Sequence, residues 1–135
     1  MLPTAGIVAA FSIFIYIAGI FESWRLDRMA QTRLSESICQ FARYFRGPDF
    51  DPVLVRAVYE STQELSGRAD VPIRPADRFS EEFGIVDEDL DDLAADVASL
   101  AYRSFEHTDR NPLYGQVRTI ADLIRFLQHQ PRLTR

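Results

Sequence analysis

Carboxylates carry most of the chemical character of this sequence. From Asp77 to Asp96 stand nine acidic residues against Arg78 alone, five of them within Asp87-Glu88-Asp89-Leu90-Asp91-Asp92 and another, Asp96, one helical turn further on. Asp at alternate positions is how a calcium-binding loop opens, and such a loop needs Gly at its sixth position and a bidentate Glu at its twelfth. Counted from Asp87, those positions hold Asp92 and Ala98, so a metal site is not expected. What the run does provide is a strong negative field. It fits a solvated helix face, and it equally fits a docking surface for a basic partner protein, where such a field speeds encounter and filters partners. Glu88, Asp89, Asp91, Asp92 and Asp96 are the residues expected to make that contact.

Other reactive side chains stand alone. His107 and His129 have no cysteine nearby in sequence, and metal sites need several ligands at set spacings. Cys39 is the single cysteine, so the fold cannot depend on an intrachain disulfide or on an oxidising compartment. No nucleophile elbow, P-loop, dinucleotide fingerprint or paired-cysteine motif occurs, so neither enzymatic activity nor a cofactor is expected. A net charge of −5 argues against nucleic acid as a partner. All fifteen basic residues are Arg, which speaks to a GC-rich bacterial genome and not to function.

The elements that must position the acids begin at the N-terminus. No charged side chain occurs from Met1 to Phe21, and Leu2 to Phe21 supplies about the 20 apolar residues that a bilayer core requires. Pro3 suits a helix start, lipid-phase helices accept Gly6 and Gly19, and Trp24 falls where aromatic belts form. A cleaved signal peptide would want a basic residue before the run and a small-x-small site after it, and neither is present. Residues 1–22 are therefore expected to be a retained single-pass anchor in contact with the membrane over 2–21. Arg25, Arg28 and Arg33 follow the span and no basic residue precedes it. The positive-inside rule then puts the C-terminal portion on the cytoplasmic side of a bacterial inner membrane.

Past the span, Met29, Leu34, Ile38, Phe41 and Phe45 recur among polar residues, which predicts one amphipathic stalk helix over 23–47 that ends at Gly47-Pro48. Its stripe must rest on the domain below, on the membrane surface, or on a second copy, the last giving self-association through the stalk. Residues 48–130 read as an all-α domain. Asp51-Pro52 opens a helix with Leu54, Val55, Val58 and Leu65 on one face, and Gly67 stops it. After a loop to Pro75, Phe79, Phe83 and Ile85 supply apolar anchors around a turn at Gly84. A second helix is predicted from about Glu88 to Ser104 with Leu90, Leu93, Val97 and Leu100 inward, capped by Asp87 or Asp89. A turn follows at Asn111-Pro112 and Gly115. Thr119-Ile-Ala-Asp122 then forms a capping box for a last helix, closed by Pro131 and followed by a tail over 131–135.

The stretches Ile73-Arg-Pro-Ala-Asp-Arg-Phe79, Glu82-Phe-Gly-Ile85, Asp89-Leu90-Asp91 and Thr119-Ile-Ala-Asp-Leu-Ile-Arg-Phe-Leu127 follow one another in an order that resembles the acyl carrier protein family, over roughly residues 51 to 130. The resemblance implies a small helical bundle with an acidic second helix. In that family an Asp-Ser-Leu triplet opens the second helix, and its serine carries phosphopantetheine. Here the matching triplet is Glu88-Asp89-Leu90, so Asp89 occupies the serine position with no hydroxyl to form the phosphodiester. Without a gap Asp87 takes that place with the same defect, and Ser80, Ser99 and Ser104 lie elsewhere. The chain thus looks like acyl-carrier-like proteins that lack the serine. The expected function is a non-catalytic, membrane-tethered adaptor. The alternatives are an acyl or peptidyl carrier with an atypical attachment site and a structural subunit of a membrane complex.

Overall fold

The computed structural model of the chain describes residues 4–134; Leu2 and Pro3, expected to open the anchor, lie outside the described residues. Among the described residues the protein is helical with no strand. The helices are α1 (Thr4–Thr32), α2 (Ile38–Tyr44), α3 (Pro52–Ser66), α4 (Phe79–Glu82), α5 (Asp87–Leu100) and α6 (Ile120–His129), with a 3-10 turn at Thr108–Arg110.

At 29 residues α1 is about 44 Å long, well beyond the roughly 30 Å of a bilayer core. Gly6–Thr32 is long and apolar enough to cross a membrane, with a mean hydropathy of 1.8, and none of its most apolar stretch is buried in the protein. That exposure separates it from the core helix of a soluble protein. Beyond Trp24 the helix changes character, and Leu26, Met29 and Arg33 turn into the domain.

The single stalk helix expected over 23–47 is instead two helices. α1 stops at Thr32, a turn takes residues 33–35, and α2 starts after Ser37, whose amide is held by Gln40 Oε1 at 3.3 Å. A three-to-five spacing of apolar residues does not reveal such a break, because Leu34 falls in the turn and is 85% exposed. The rest of the stripe rests on the chain's own domain. Phe41 meets Tyr59 edge to face with ring centroids 5.0 Å apart, Phe45 meets Phe50 in the same way at 5.3 Å, and α2 packs on α3.

Caps set the boundaries of the bundle. Asp51 Oδ1 accepts the Val53 amide at 3.0 Å, Pro52 fills the first turn, and Gly67 closes α3 at φ +71°. Leu54, Val55, Val58 and Thr62 go inward, whereas Leu65 is 46% exposed. α5 ends at Leu100, four residues early, because Tyr102 adopts φ +53° while Arg103 N bonds Ala98 O at 2.8 Å and Tyr102 N bonds Ser99 O. This is a Schellman closure, in which glycine is the usual signal and Tyr gives none. Leu93 and Val97 are buried, Leu90 is partly so, and Leu100 stays 58% exposed. Neither Asp87 nor Asp89 caps α5. Val86 is the N-cap, both aspartates lie inside the first turn, and their charge acts on the helix dipole.

The capping box of α6 is present. Thr119 Oγ1 accepts the Asp122 amide, and Asp122 Oδ2 accepts the amides of Thr119 (2.9 Å) and Arg118 (3.1 Å). Burial pushes the Asp122 carboxyl up, but these bonds outweigh it and hold the group below its ordinary value. Ile120, Leu123, Ile124 and Leu127 are buried, and the following tail is pinned by Leu133 N to Tyr102 O and by Ser104 N to Pro131 O, both 2.8 Å.

Ion pairs join α1 to the domain. Arg33 reaches Asp77 through both guanidinium nitrogens at 2.6 and 2.8 Å and also donates to Pro72 O at 2.9 Å. The two side chains are only 7% and 6% exposed. On either side, Asp27 pairs with Arg68 at 2.6 Å and Glu36 with Arg74. The Arg74 bond holds the Glu36 carboxyl below its ordinary value. Removing one member of a buried pair strands the other charge, which costs about 3–5 kcal/mol, whereas an exposed pair contributes at most about 1. Arg33→Met is therefore expected to lower the stability of the detergent-solubilised chain severalfold more than Glu36→Gln, measured by denaturant unfolding with circular dichroism.

Candidate functional site

The acidic helix is aimed by the segment before it. Phe79, Phe83 and Ile85 are buried, and Ile85 N bonds Phe79 O at 2.9 Å, which folds α4 and the turn into a compact hook. Gly84, at φ +64°, lets the hook lie against α1: a Cβ there would stand 2.8 Å from Glu22 Oε1. Arg25 donates to Glu81 O at 2.5 Å. Both contacts lie within about one helical turn, some 6 Å of rise, of Phe21. Asp87 follows Gly84 by three residues, so α5 starts near the place where α1 leaves its apolar stretch.

Glu88, Asp89, Asp91, Asp92 and Asp96 are all exposed on α5, as is Asp87. At 3.6 residues per turn they do not form one face. Asp87 and Asp91 border a cleft of about 300 Å3 against the 105–118 segment, with Leu90, Phe105, Tyr114 and Arg118 among its walls. Asp89, Asp92 and Asp96 line a second groove against α3, beside Glu64, Leu65 and Leu100. Glu88 stands on the ridge between. Asp89, expected from the resemblance to stand at the carrier-serine position, is in the first turn of α5.

Pairing distinguishes these acids from most of the others. Asp27, Glu36, Asp51, Asp70 and Asp77 each hold an arginine. Among the described residues, the six carboxylates of α5 have no ion-pair or side-chain hydrogen-bond partner. His107 and His129 are exposed, and among the described residues no three His, Cys, Asp or Glu side chains converge as a metal site.

Two buried ion pairs escaped sequence reasoning. Arg33 meets Asp77 across 44 residues, and Arg103 meets Asp51 across 52 at 3.2 Å, the same Asp51 that caps α3. No local spacing marks either pair. An arginine inside an apolar stripe, as Arg33 is between Met29 and Phe41, was the one available signal.

No protein-family model, no curated protein and no solved structure matches the chain, so the functional reading rests on this geometry.

If the α5 acids serve contact with a partner, folding does not need them. Asp92→Asn and Asp96→Asn should leave the unfolding free energy within about 0.5 kcal/mol of the parent, as for surface positions away from special contacts. Glu88→Gln and Asp89→Asn, inside the first turn, should each lose about 0.3–1 kcal/mol of charge–dipole stabilisation. Denaturant midpoints of the four variants measure the difference.

Proposed function

We propose that the protein is a non-catalytic adaptor, tethered in a bacterial inner membrane, whose acyl-carrier-like cytoplasmic domain recruits a basic protein surface through α5. The observation that carries this reading is the set of exposed, unpaired carboxylates, Glu88, Asp89, Asp91, Asp92 and Asp96, beside the end of the apolar stretch of α1. Free carboxylates in that number cost self-repulsion unless a cationic surface meets them. Such a field acts over about 8 Å at physiological salt, so it favours partners already brought close, as by anchoring in the same membrane.

Retention of α1 is supported by what its end does. Leu26 and Met29 belong to the core and lie on the same unbroken helix as the apolar stretch, so the span runs directly into the domain. Orientation is supported by Arg25 and Arg28, which follow the apolar stretch. The acyl-carrier likeness is supported by the order α3, long loop, α5, α6 and by the packing of α3 on both α5 and α6. Asp89 in the serine position excludes attachment there, which favours docking without a carried group.

Reversal of Asp91, Asp92 and Asp96 to Arg in the full-length chain should abolish recovery of the partner in a pull-down from solubilised membranes; unchanged recovery of every partner contradicts the reading. Cys39, exposed on α2 and the single cysteine, reports orientation. A membrane-impermeant maleimide should label it in inverted vesicles and leave it unlabelled in intact spheroplasts.

A further inference from the structure

A third groove lies on the other side of the domain and inverts the chemistry of α5. It encloses about 670 Å3 between the end of α2, residues 45–50 and the start of α3. Its floor is apolar, with Ile38, Ala42, Phe45, Phe50 and Val55, and its rim carries Arg43, Arg46 and Arg56. No carboxylate lines it. Among the described residues Arg43 and Arg46 have no ion-pair partner, and Arg56 has only the exposed Glu60 at 3.5 Å.

The complement of this groove is on the same molecule. Glu64, Asp89, Asp92 and Asp96 line the acidic groove along α3 and α5, together with the exposed Leu65 and Leu100. We propose that the basic groove of one copy receives the acidic α3–α5 face of a second copy, so that the chain associates head to tail. The inference rests on the reading of α5 as a docking helix and names its partner surface as the chain's own Arg43, Arg46 and Arg56. Three guanidinium groups meet four carboxylates, where Arg offers bidentate geometry, and Leu65 and Leu100 face an apolar floor. One molecule cannot satisfy itself, because the grooves flank opposite ends of α3. Arg56 and Glu64 are eight residues apart, about 12 Å of helix rise. The two surfaces differ, so the contact is heterologous and extends to chains or rings instead of stopping at a two-fold dimer.

Cys39 lines the basic groove and supplies the probe. Full-length chain in nonionic detergent, a benzophenone maleimide on Cys39, and equal parts of isotope-labelled and unlabelled protein give one experiment. Irradiation should yield mixed-isotope adducts from Cys39 to residues 61–65 or 89–100, with a yield that falls about tenfold in Arg43→Glu/Arg46→Glu protein. That variant and Asp92→Arg/Asp96→Arg should each sediment as monomers. Mixed, they should associate again, because the intact acidic face of the first variant meets the intact basic groove of the second. A parent chain that stays monomeric at all concentrations, or adducts confined to one isotope, overturns the inference. The same result leaves α5 docking intact if the pull-down still loses a different basic protein on acid reversal, and both readings fall together only if that loss is absent too.

Discussion

The buried pair between Arg33 and Asp77 is the constraint on which the arrangement depends. Arg33 directly follows the helix that leaves the apolar stretch, and Asp77 sits where three parts of the domain converge. Its Oδ2 also accepts the Arg74 amide, and its backbone oxygen accepts the Ile120 amide that begins α6. One residue, through its carboxylate and its backbone oxygen, thereby fixes the end of α1, the 72–77 loop and the start of α6 to each other. Buried pairs of this kind do not outperform apolar packing in stability, but an unpaired member is costly, so alternative registers of α1 on the domain are strongly disfavoured. The Asp27–Arg68 and Glu36–Arg74 pairs add little energy alone and extend the same register along α1.

From that fixed register follows the placement of α5. The turn at Gly84 and the Arg25–Glu81 contact hold the entry to the acidic helix beside α1, while Phe79, Phe83 and Ile85 anchor it from below. A loose stalk would let the acids sample any height above a bilayer. A latched helix presents them at one height and one orientation, which is what partner selection by charge requires, because fields decay over about 8 Å at physiological salt. Arg33, Arg68, Arg74 and Arg103, by contrast, are spent on acids within the fold, whereas Arg43 and Arg46 beside α2 are not.

Much of this was legible in the residues. The boundaries of α3 and α6 and the turn at Gly84 carry their own signals, Asp51-Pro52 with Gly67 and the Thr119–Asp122 box, because capping is a local interaction between residues a few positions apart. The apolar stretch of α1 was equally plain. What stayed hidden was non-local or lacked its customary residue. The break after Thr32 lies inside an uninterrupted apolar stripe, the end of α5 uses Tyr102 where glycine is usual, and the pairs of Arg33 and Arg103 join positions dozens of residues apart. Of the candidate site, the identity and exposure of the acids were readable from sequence. Their division between two grooves was not, since it depends on which elements flank α5.

We propose that α5, held beside the membrane, meets a cationic protein surface. A photoreactive amino acid in place of Asp92 in the full-length chain, irradiated in native membranes and followed by sequencing of the cross-linked peptide, tests it most directly. Adducts are expected to an arginine- or lysine-rich protein segment, residues 38–56 of a second copy among them. Adducts to lipid alone, or to protein segments with no excess of basic residues, contradict it.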